Sequence, residues 1–138
     1  MRSIAAMVMA LSIAMVILAC GGGEYGEAIE VNQKFVDAME SYLDEVEKAD
    51  SGSAVAAAIN AYAEKVEKLA PRMKAVSQNY PEWEDRTKIP EALKPLTEKA
   101  ENLSQRMAGS FMTAMQYMQD AKVQAAQQRL AKAMGMMQ

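Results

Sequence analysis

The sequence predicts an all-α protein, an antiparallel up-down-up-down four-helix bundle that follows an apolar N-terminal segment. After residue 26, apolar residues recur at steps of three and four, which is the spacing of one face of an α-helix. The composition is rich in Ala, Met, Glu and Lys, with four prolines and 6% aromatic residues, and this favours helix over sheet. Turn-forming clusters divide the repeat into four segments, and short turns make consecutive helices antiparallel.

The first 19 residues have the pattern of a secretory signal peptide. Met1-Arg2 is a short positive segment, and residues 4–18 form an apolar run shorter than the roughly 20 residues that span a membrane. The run ends in Ile17-Leu18-Ala19-Cys20, which resembles the lipobox of bacterial lipoproteins. That resemblance implies cleavage before Cys20 and attachment of diacylglycerol and an N-acyl chain such as palmitate. Gly21 follows in place of aspartate, which implies an outer-membrane anchor facing the periplasm.

The predicted organisation therefore has three parts. Residues 1–19 are the signal peptide, residues 20–26 are the lipidated cysteine with a glycine-rich tether, and residues 27–138 are the bundle. Gly21-Gly22-Gly23 supplies the flexible part of the tether. Several acyl chains anchor durably because each buried methylene contributes about 0.8 kcal/mol. The alternative is an uncleaved N-terminal anchor that ends in a cysteine by chance.

The first two helices are predicted at residues 27–49 and 54–79. Between them lies the turn cluster Asp50–Ser53, in which Ser51 or Ser53 caps the second helix. Apolar residues of the second helix alternate steps of four and three from Val55 to Tyr80, as in antiparallel bundles. Pro71 lies inside this helix and predicts a kink near residues 67–70, since proline removes one backbone donor.

Residues 80–90 are predicted to form the longest loop, because two prolines bracket charged residues there. The loop contains the only tryptophan, Trp83, which either packs over the open end of the bundle or forms an aromatic contact site with Tyr80.

The third helix is predicted to begin at Pro90 or Pro95 and the fourth to span residues 121–134, with Asp120 as its N-cap and Gly135 ending it. The alternative is a three-helix hairpin in which residues 91–134 form one helix. The buried stripe of the third helix is predicted to comprise Leu93, Leu96, Ala100, Leu103, Met107, Phe111, Ala114 and Met118.

Residue types that are absent or rare in the sequence exclude several classes of function. There is no histidine, which removes the usual general base and the usual zinc and haem ligand. A single cysteine excludes an intramolecular disulfide. The net charge of −3 gives no reason to expect nucleic-acid binding. Without a phosphate-binding loop or nucleophile motif, the chain is predicted not to be an enzyme. The many carboxylates are predicted on solvated faces, with lysine partners three or four residues away.

Two stretches carry a resemblance to a known family. Glu47-Lys48-Ala49-Asp50 before a small-residue turn, with Val55 opening the next helix, and residues 118–127 are similar to turns of the soluble periplasmic four-helix cytochrome b family. The resemblance covers residues 27–134 and implies the same topology. That family holds haem between a methionine on the first helix and a histidine near the end of the fourth. Here Val36 takes the methionine position, Met39 lies one turn away and the histidine is absent, so the resemblance implies the fold without the cofactor.

Methionine is unusually frequent, with 13 in the chain. Met112, Met115 and Met118 are spaced three apart, and thioethers are soft ligands that suit Cu(I). The other interpretation is packing in the core or on a partner surface, which flexible methionine does well. A haem held by Met39 and Met134 is a further alternative.

The sequence as a whole predicts a lipid-anchored, periplasm-facing helical-bundle lipoprotein that is non-enzymatic and serves as an interaction or structural module. Its expected partners are the membrane, through the lipid on Cys20, and a protein, with no nucleic acid and no cofactor. The alternative function is a copper-binding, or haem-binding, lipoprotein that uses the methionines.

Overall fold

The computed structural model describes residues 23–137, and within that range the chain is an all-α four-helix bundle with no strand. The helices are α1 (Gly26–Lys48), α2 (Gly52–Asn79), α3 (Lys94–Gln116) and α4 (Ala121–Gly135). The predicted fold class is confirmed, and the alternative with one helix over residues 91–134 is wrong because the chain turns between α3 and α4. The lipobox, Cys20 and the first two tether glycines lie outside the described residues.

Local sequence sets where the helices begin. The Ser51 hydroxyl accepts a hydrogen bond from the Ala54 backbone N–H at 3.2 Å, and the Asp120 carboxylate accepts one from Lys122 at 2.8 Å. Each side chain satisfies a backbone donor that has no partner inside its helix, as predicted for N-caps. Helix α3 begins at Lys94 with Pro95 in its first turn, and α2 continues without interruption through Pro71.

The long connection between α2 and α3 consists of three short 3₁₀ turns, Pro81–Glu84, Arg86–Lys88 and Glu91–Leu93. It carries α3 diagonally across the end of the bundle, so that α3 packs closely against α1 and α4 packs closely against α2. The ammonium of Lys99 meets Glu40 at 2.7 Å and the guanidinium of Arg106 meets Asp44 at 2.8 Å. In these two pairs the residue numbers increase in the same direction along α1 and α3. Helix α3 therefore runs parallel to its neighbour α1, although successive helices alternate in direction.

Burial is unequal among the helices. Helices α1 and α2 bury eight and eleven residues, whereas α3 and α4 bury three each. The first hairpin is therefore the centre of the bundle, and α3 and α4 flank it. The main core draws on all four helices, and a smaller cluster around Ala28, Val76 and Leu93 closes the end beneath the long connection. Within residues 23–137, none of the helices combines the length and the apolarity required to cross a membrane.

Candidate functional site

An exposed apolar face lies on the second half of α3. The exposed fractions of Phe111, Met112 and Met115 are 54%, 67% and 48%, and Ala108 is exposed beside them. These four residues, which we call the α3 outer face, follow the spacing i, i+3, i+4, i+7 of a helix stripe. Residues 107–119 contain no Asp, Glu, Lys or Arg. The α3 outer face is thus an uncharged apolar surface in contact with water.

Helix α3 carries a second apolar side that belongs to the core. Leu103, Ser110 and Ala114 are its buried residues, and Met107 packs partly buried against the main core. A helix that packs on one neighbour needs only one apolar stripe. The predicted assignment of Phe111 to the buried stripe is wrong, because α3 has one close neighbour, α1, and Phe111 projects away from it. Contiguous exposed apolar surface of this kind marks interaction sites.

The three methionines predicted as a copper site do not share one environment. Met112 and Met115 lie on the α3 outer face, on adjacent turns. Met118 lies in the turn after α3 and packs partly buried against the main core. In residues 23–137 no group of three or more His, Cys, Asp or Glu side chains is arranged to hold a metal ion, a criterion that does not cover thioethers.

The two methionines considered as haem ligands also lie in different environments. Met39 is packed in the main core, whereas Met134 is 38% exposed near the end of α4.

A cavity of about 390 Å³ lies at the opposite end of the bundle, between α1, α2, α3 and the long connection. We call it the end cavity. Its walls are mostly apolar and include the rings of Phe35, Tyr80 and Trp83. Of the described residues that line it, only Glu84 is charged. Its size falls within the range of small-molecule sites, about 300–1,000 Å³.

An aromatic cluster closes the end cavity and fixes the start of the described chain. The rings of Tyr80 and Trp83 are stacked with centroids 4.0 Å apart, and Tyr25 lies 5.5 Å from Trp83. The Tyr80 hydroxyl donates a hydrogen bond to the Glu24 carbonyl at 3.2 Å. Trp83 therefore packs over the end of the bundle, which is the first of the two roles predicted for it, and it also stacks on Tyr80. The described chain begins at this same end, at Gly23.

Arginines join the helices through ion pairs that sequence reasoning missed. Arg106 donates to Asp44 and Glu47, and Arg129 donates from two nitrogens to Glu67 at 2.9 and 2.8 Å. The hydrogen bond from Arg106 lowers the pKa of Asp44, and that from Arg129 lowers the pKa of Glu67.

The predicted pairs within one helix also occur, for example Lys34 with Glu30.

The ion pairs of the arginines are indicated in the sequence by the positions of these residues. Arg106 and Arg129 each stand one residue before a core-stripe residue, which places them at a helix–helix edge.

The fold and these two surfaces define the chain as a four-helix bundle with an apolar face at one end and an apolar cavity at the other. Comparison of the chain with protein family models, curated protein sequences and solved structures found no match.

Proposed function

We propose that this chain is a lipid-anchored, periplasm-facing lipoprotein of the outer membrane that acts as a non-enzymatic binding module for a protein partner. The observation that carries the proposal is the α3 outer face. Burying a Phe or Met side chain is worth about 1.5–3 kcal/mol. A partner helix that covers Phe111, Met112 and Met115 with its own apolar stripe would gain several times that amount, as in helix-in-groove recognition.

The described chain begins at the end of the bundle opposite the α3 outer face. The lipobox sequence supports lipidation at Cys20, and the tether joins the bundle beside Tyr25 and Trp83. Lys94 begins α3 near that end, and Phe111 is about 25 Å further along the helix at 1.5 Å per residue. The binding face would therefore stand away from the membrane surface, where a periplasmic partner reaches it.

Site-specific photocrosslinking of the full chain in bacterial membranes tests the partner proposal. A photoreactive residue at Met112 should form an adduct with one protein, while the same residue at Gln128, which is exposed on α4, should not. The purified partner should bind a Phe111→Ser/Met115→Ser variant at least tenfold more weakly than the unaltered chain. Equal adducts from both positions, or unchanged affinity, would overturn the proposal.

Metabolic labelling with palmitate tests the anchor separately. The unaltered chain should incorporate label and a Cys20→Ser variant should not. Label retained by the variant would show that Cys20 is not the lipidation site.

A second candidate function, Cu(I) binding, is favoured by one observation. Met112 and Met115 expose their thioethers on adjacent turns of one face, and thioethers suit Cu(I). Titration with Cu(I) against a competing chelator should show tighter binding by the unaltered chain than by a variant with Met112, Met115 and Met118 changed to leucine. Leucine keeps the apolar surface, so the partner interaction should persist in that variant. Equal affinities for Cu(I) would exclude this candidate.

A further inference from the structure

We propose that the end cavity binds an organic cation with an apolar body, such as an alkylammonium amphiphile, with Glu84 receiving the positive head group. This inference goes beyond the proposed function. It concerns the other end of the bundle and requires neither the α3 outer face nor the lipid anchor.

The walls of the end cavity fit the apolar body of such a ligand. Leu93 is buried, Leu96 and Ala100 are half-buried, and all three face the cavity from the start of α3 and the preceding turn. Val36 and Val76 close it from α1 and α2. An alkyl chain that leaves water for this space gains binding free energy with each methylene that it buries.

The electrostatics of the cavity select a cation. Glu84 is exposed at its edge, and within residues 23–137 its carboxylate has no ion pair or side-chain hydrogen bond. Among the neighbouring acids, Asp85 pairs with Lys88 and Glu91 pairs with Lys94, whereas Glu82 shares the lack of a partner but does not line the cavity. A bound ammonium would supply the charge partner that Glu84 lacks.

Aromatic rings add to the same preference. Phe35, Tyr80 and Trp83 line the cavity, and an ammonium within about 6 Å of a ring centre is attracted to the face of the ring. An anionic head group is disfavoured. It would approach the unpaired Glu84 carboxylate, and no described lining residue is a lysine or arginine to offset the repulsion. A neutral head group would gain the apolar contacts without the charge attraction.

Trp83 is the only tryptophan and lines the cavity, so its fluorescence reports on this site alone. The experiment uses the full unaltered chain, reconstituted in phosphatidylcholine vesicles, which carry no tryptophan. Octyltrimethylammonium and octanoate are titrated below their micelle-forming concentrations and octanol below its solubility limit, with the free probe measured at each point. We expect octyltrimethylammonium to shift Trp83 emission and to bind at least tenfold more tightly than octanoate or octanol.

Two glutamates of the same 3₁₀ turn give a matched pair of variants. Glu84→Gln should weaken octyltrimethylammonium binding about tenfold and leave octanol binding unchanged, because the amide keeps the shape and removes the charge. Glu82→Gln should behave as the unaltered chain, since Glu82 does not line the cavity. Ala100→Leu should weaken all three probes by filling the space, with the helical circular dichroism signal retained.

Three results would overturn the proposal. The first is equal binding of the three probes, and the second is equal octyltrimethylammonium affinity of Glu84→Gln and Glu82→Gln. The third is Trp83 emission that responds to no probe. None of these results bears on the α3 outer face, so the two proposals fail separately.

Discussion

At the scale of single residues, the most unusual group in the core is the phenol of Tyr62. Its side chain is 3% exposed and stacks on Tyr42 with ring centroids 5.0 Å apart. Within the described residues, its hydroxyl oxygen has no hydrogen-bond partner. A buried polar group without a partner costs about 1–3 kcal/mol. The ring therefore stabilises the core while its hydroxyl opposes folding.

We predict that Tyr62→Phe raises the free energy of unfolding by about 1 kcal/mol, because it keeps the ring and removes the unpaired hydroxyl. Urea unfolding followed by circular dichroism measures the change. Tyr42→Phe is the matched control, since in the described residues the buried side-chain group without a hydrogen-bond partner is the hydroxyl of Tyr62 and not that of Tyr42, and no gain is expected there. A Tyr62→Phe variant less stable than the unaltered chain would contradict the prediction.

The pH dependence of the same residue gives a second prediction. Burial raises the pKa of Tyr62 to about 12 from an ordinary value of 10.0. The native state thus holds its proton where the unfolded chain releases it, and stability falls as pH rises between these two values. Unfolding titrations from pH 9 to 12 should show a smaller loss of stability in Tyr62→Phe than in the unaltered chain. Equal losses would mean that Tyr62 ionises equally readily in both states.

At the scale of helices and turns, the turn before α2 and the turn before α4 meet at the end of the bundle away from Gly23, the first described residue. Gly52 opens α2 directly beside Asp120, the N-cap of α4. A Cβ placed on Gly52 would lie 3.0 Å from the Asp120 Cβ, and the Asp120 carboxylate would be closer still. Position 52 therefore requires glycine, because the beginning of α2 closely approaches the N-cap of α4.

We predict that Gly52→Ala lowers the free energy of unfolding by about 1–3 kcal/mol, because the added methyl displaces the cap of α4. Gly109→Ala is the matched control. A Cβ on Gly109 meets nothing within 4 Å in the described structure, and alanine inside a helix is about 0.5–1 kcal/mol more favourable than glycine. Thermal unfolding should shift down for the first variant and up for the second. A shift of the same sign in both would refute the packing argument.

The two sides of α3 should respond differently to polar substitution. Phe111→Ser with Met112→Ser should change the free energy of unfolding by less than about 1 kcal/mol, since surface substitutions usually have small effects. Leu103→Ala, on the buried side, should cost about 2–5 kcal/mol. Urea unfolding of both variants measures the contrast. A large loss from the serine variant would place the α3 outer face in the core and remove the basis of the proposed function.

At the scale of the whole molecule, arginine–carboxylate pairs join the helices. Arg106 and Arg129 join α3 and α4 to the central hairpin, and Arg72 joins the two helices of that hairpin. The hydrogen bond from Arg106 lowers the pKa of Asp44 from 3.8, and those from Arg129 and Arg72 lower the pKa of Glu67 and Glu27 from 4.5. A depressed carboxyl pKa contributes stability above the unfolded value, and that contribution disappears as pH falls through the folded value.

We predict that the thermal midpoint decreases as pH is lowered from about 5 to 2 and that the decrease is shallower when Arg72, Arg106 and Arg129 are changed to glutamine. The side chains of these arginines are 34–39% exposed, so added salt should reduce the difference between the two proteins. The measurement is a series of melts across this pH range, carried out at low and at high ionic strength. Parallel pH profiles would mean that the pairs contribute nothing to stability.

The sequence by itself determined the features that depend on neighbours along the chain. Helix starts at Ser51 and Asp120 are local, since each cap bonds a backbone group two or three residues away. The four-helix division and the long connection also follow from local turn residues. Lipidation at Cys20 and the resemblance to the cytochrome b family stay predictions from the sequence.

Tertiary structure decided what depends on partners far along the chain. Periodicity marked Phe111 as apolar and on a stripe, but only the placement of α3 beside α1 left it facing water. The same placement brought Arg106 to Asp44, 62 positions away, and brought Trp83 to Tyr25 to close the end cavity. A helical repeat specifies which residues share one side of a helix, whereas the long connection determines which of those sides pack against another helix.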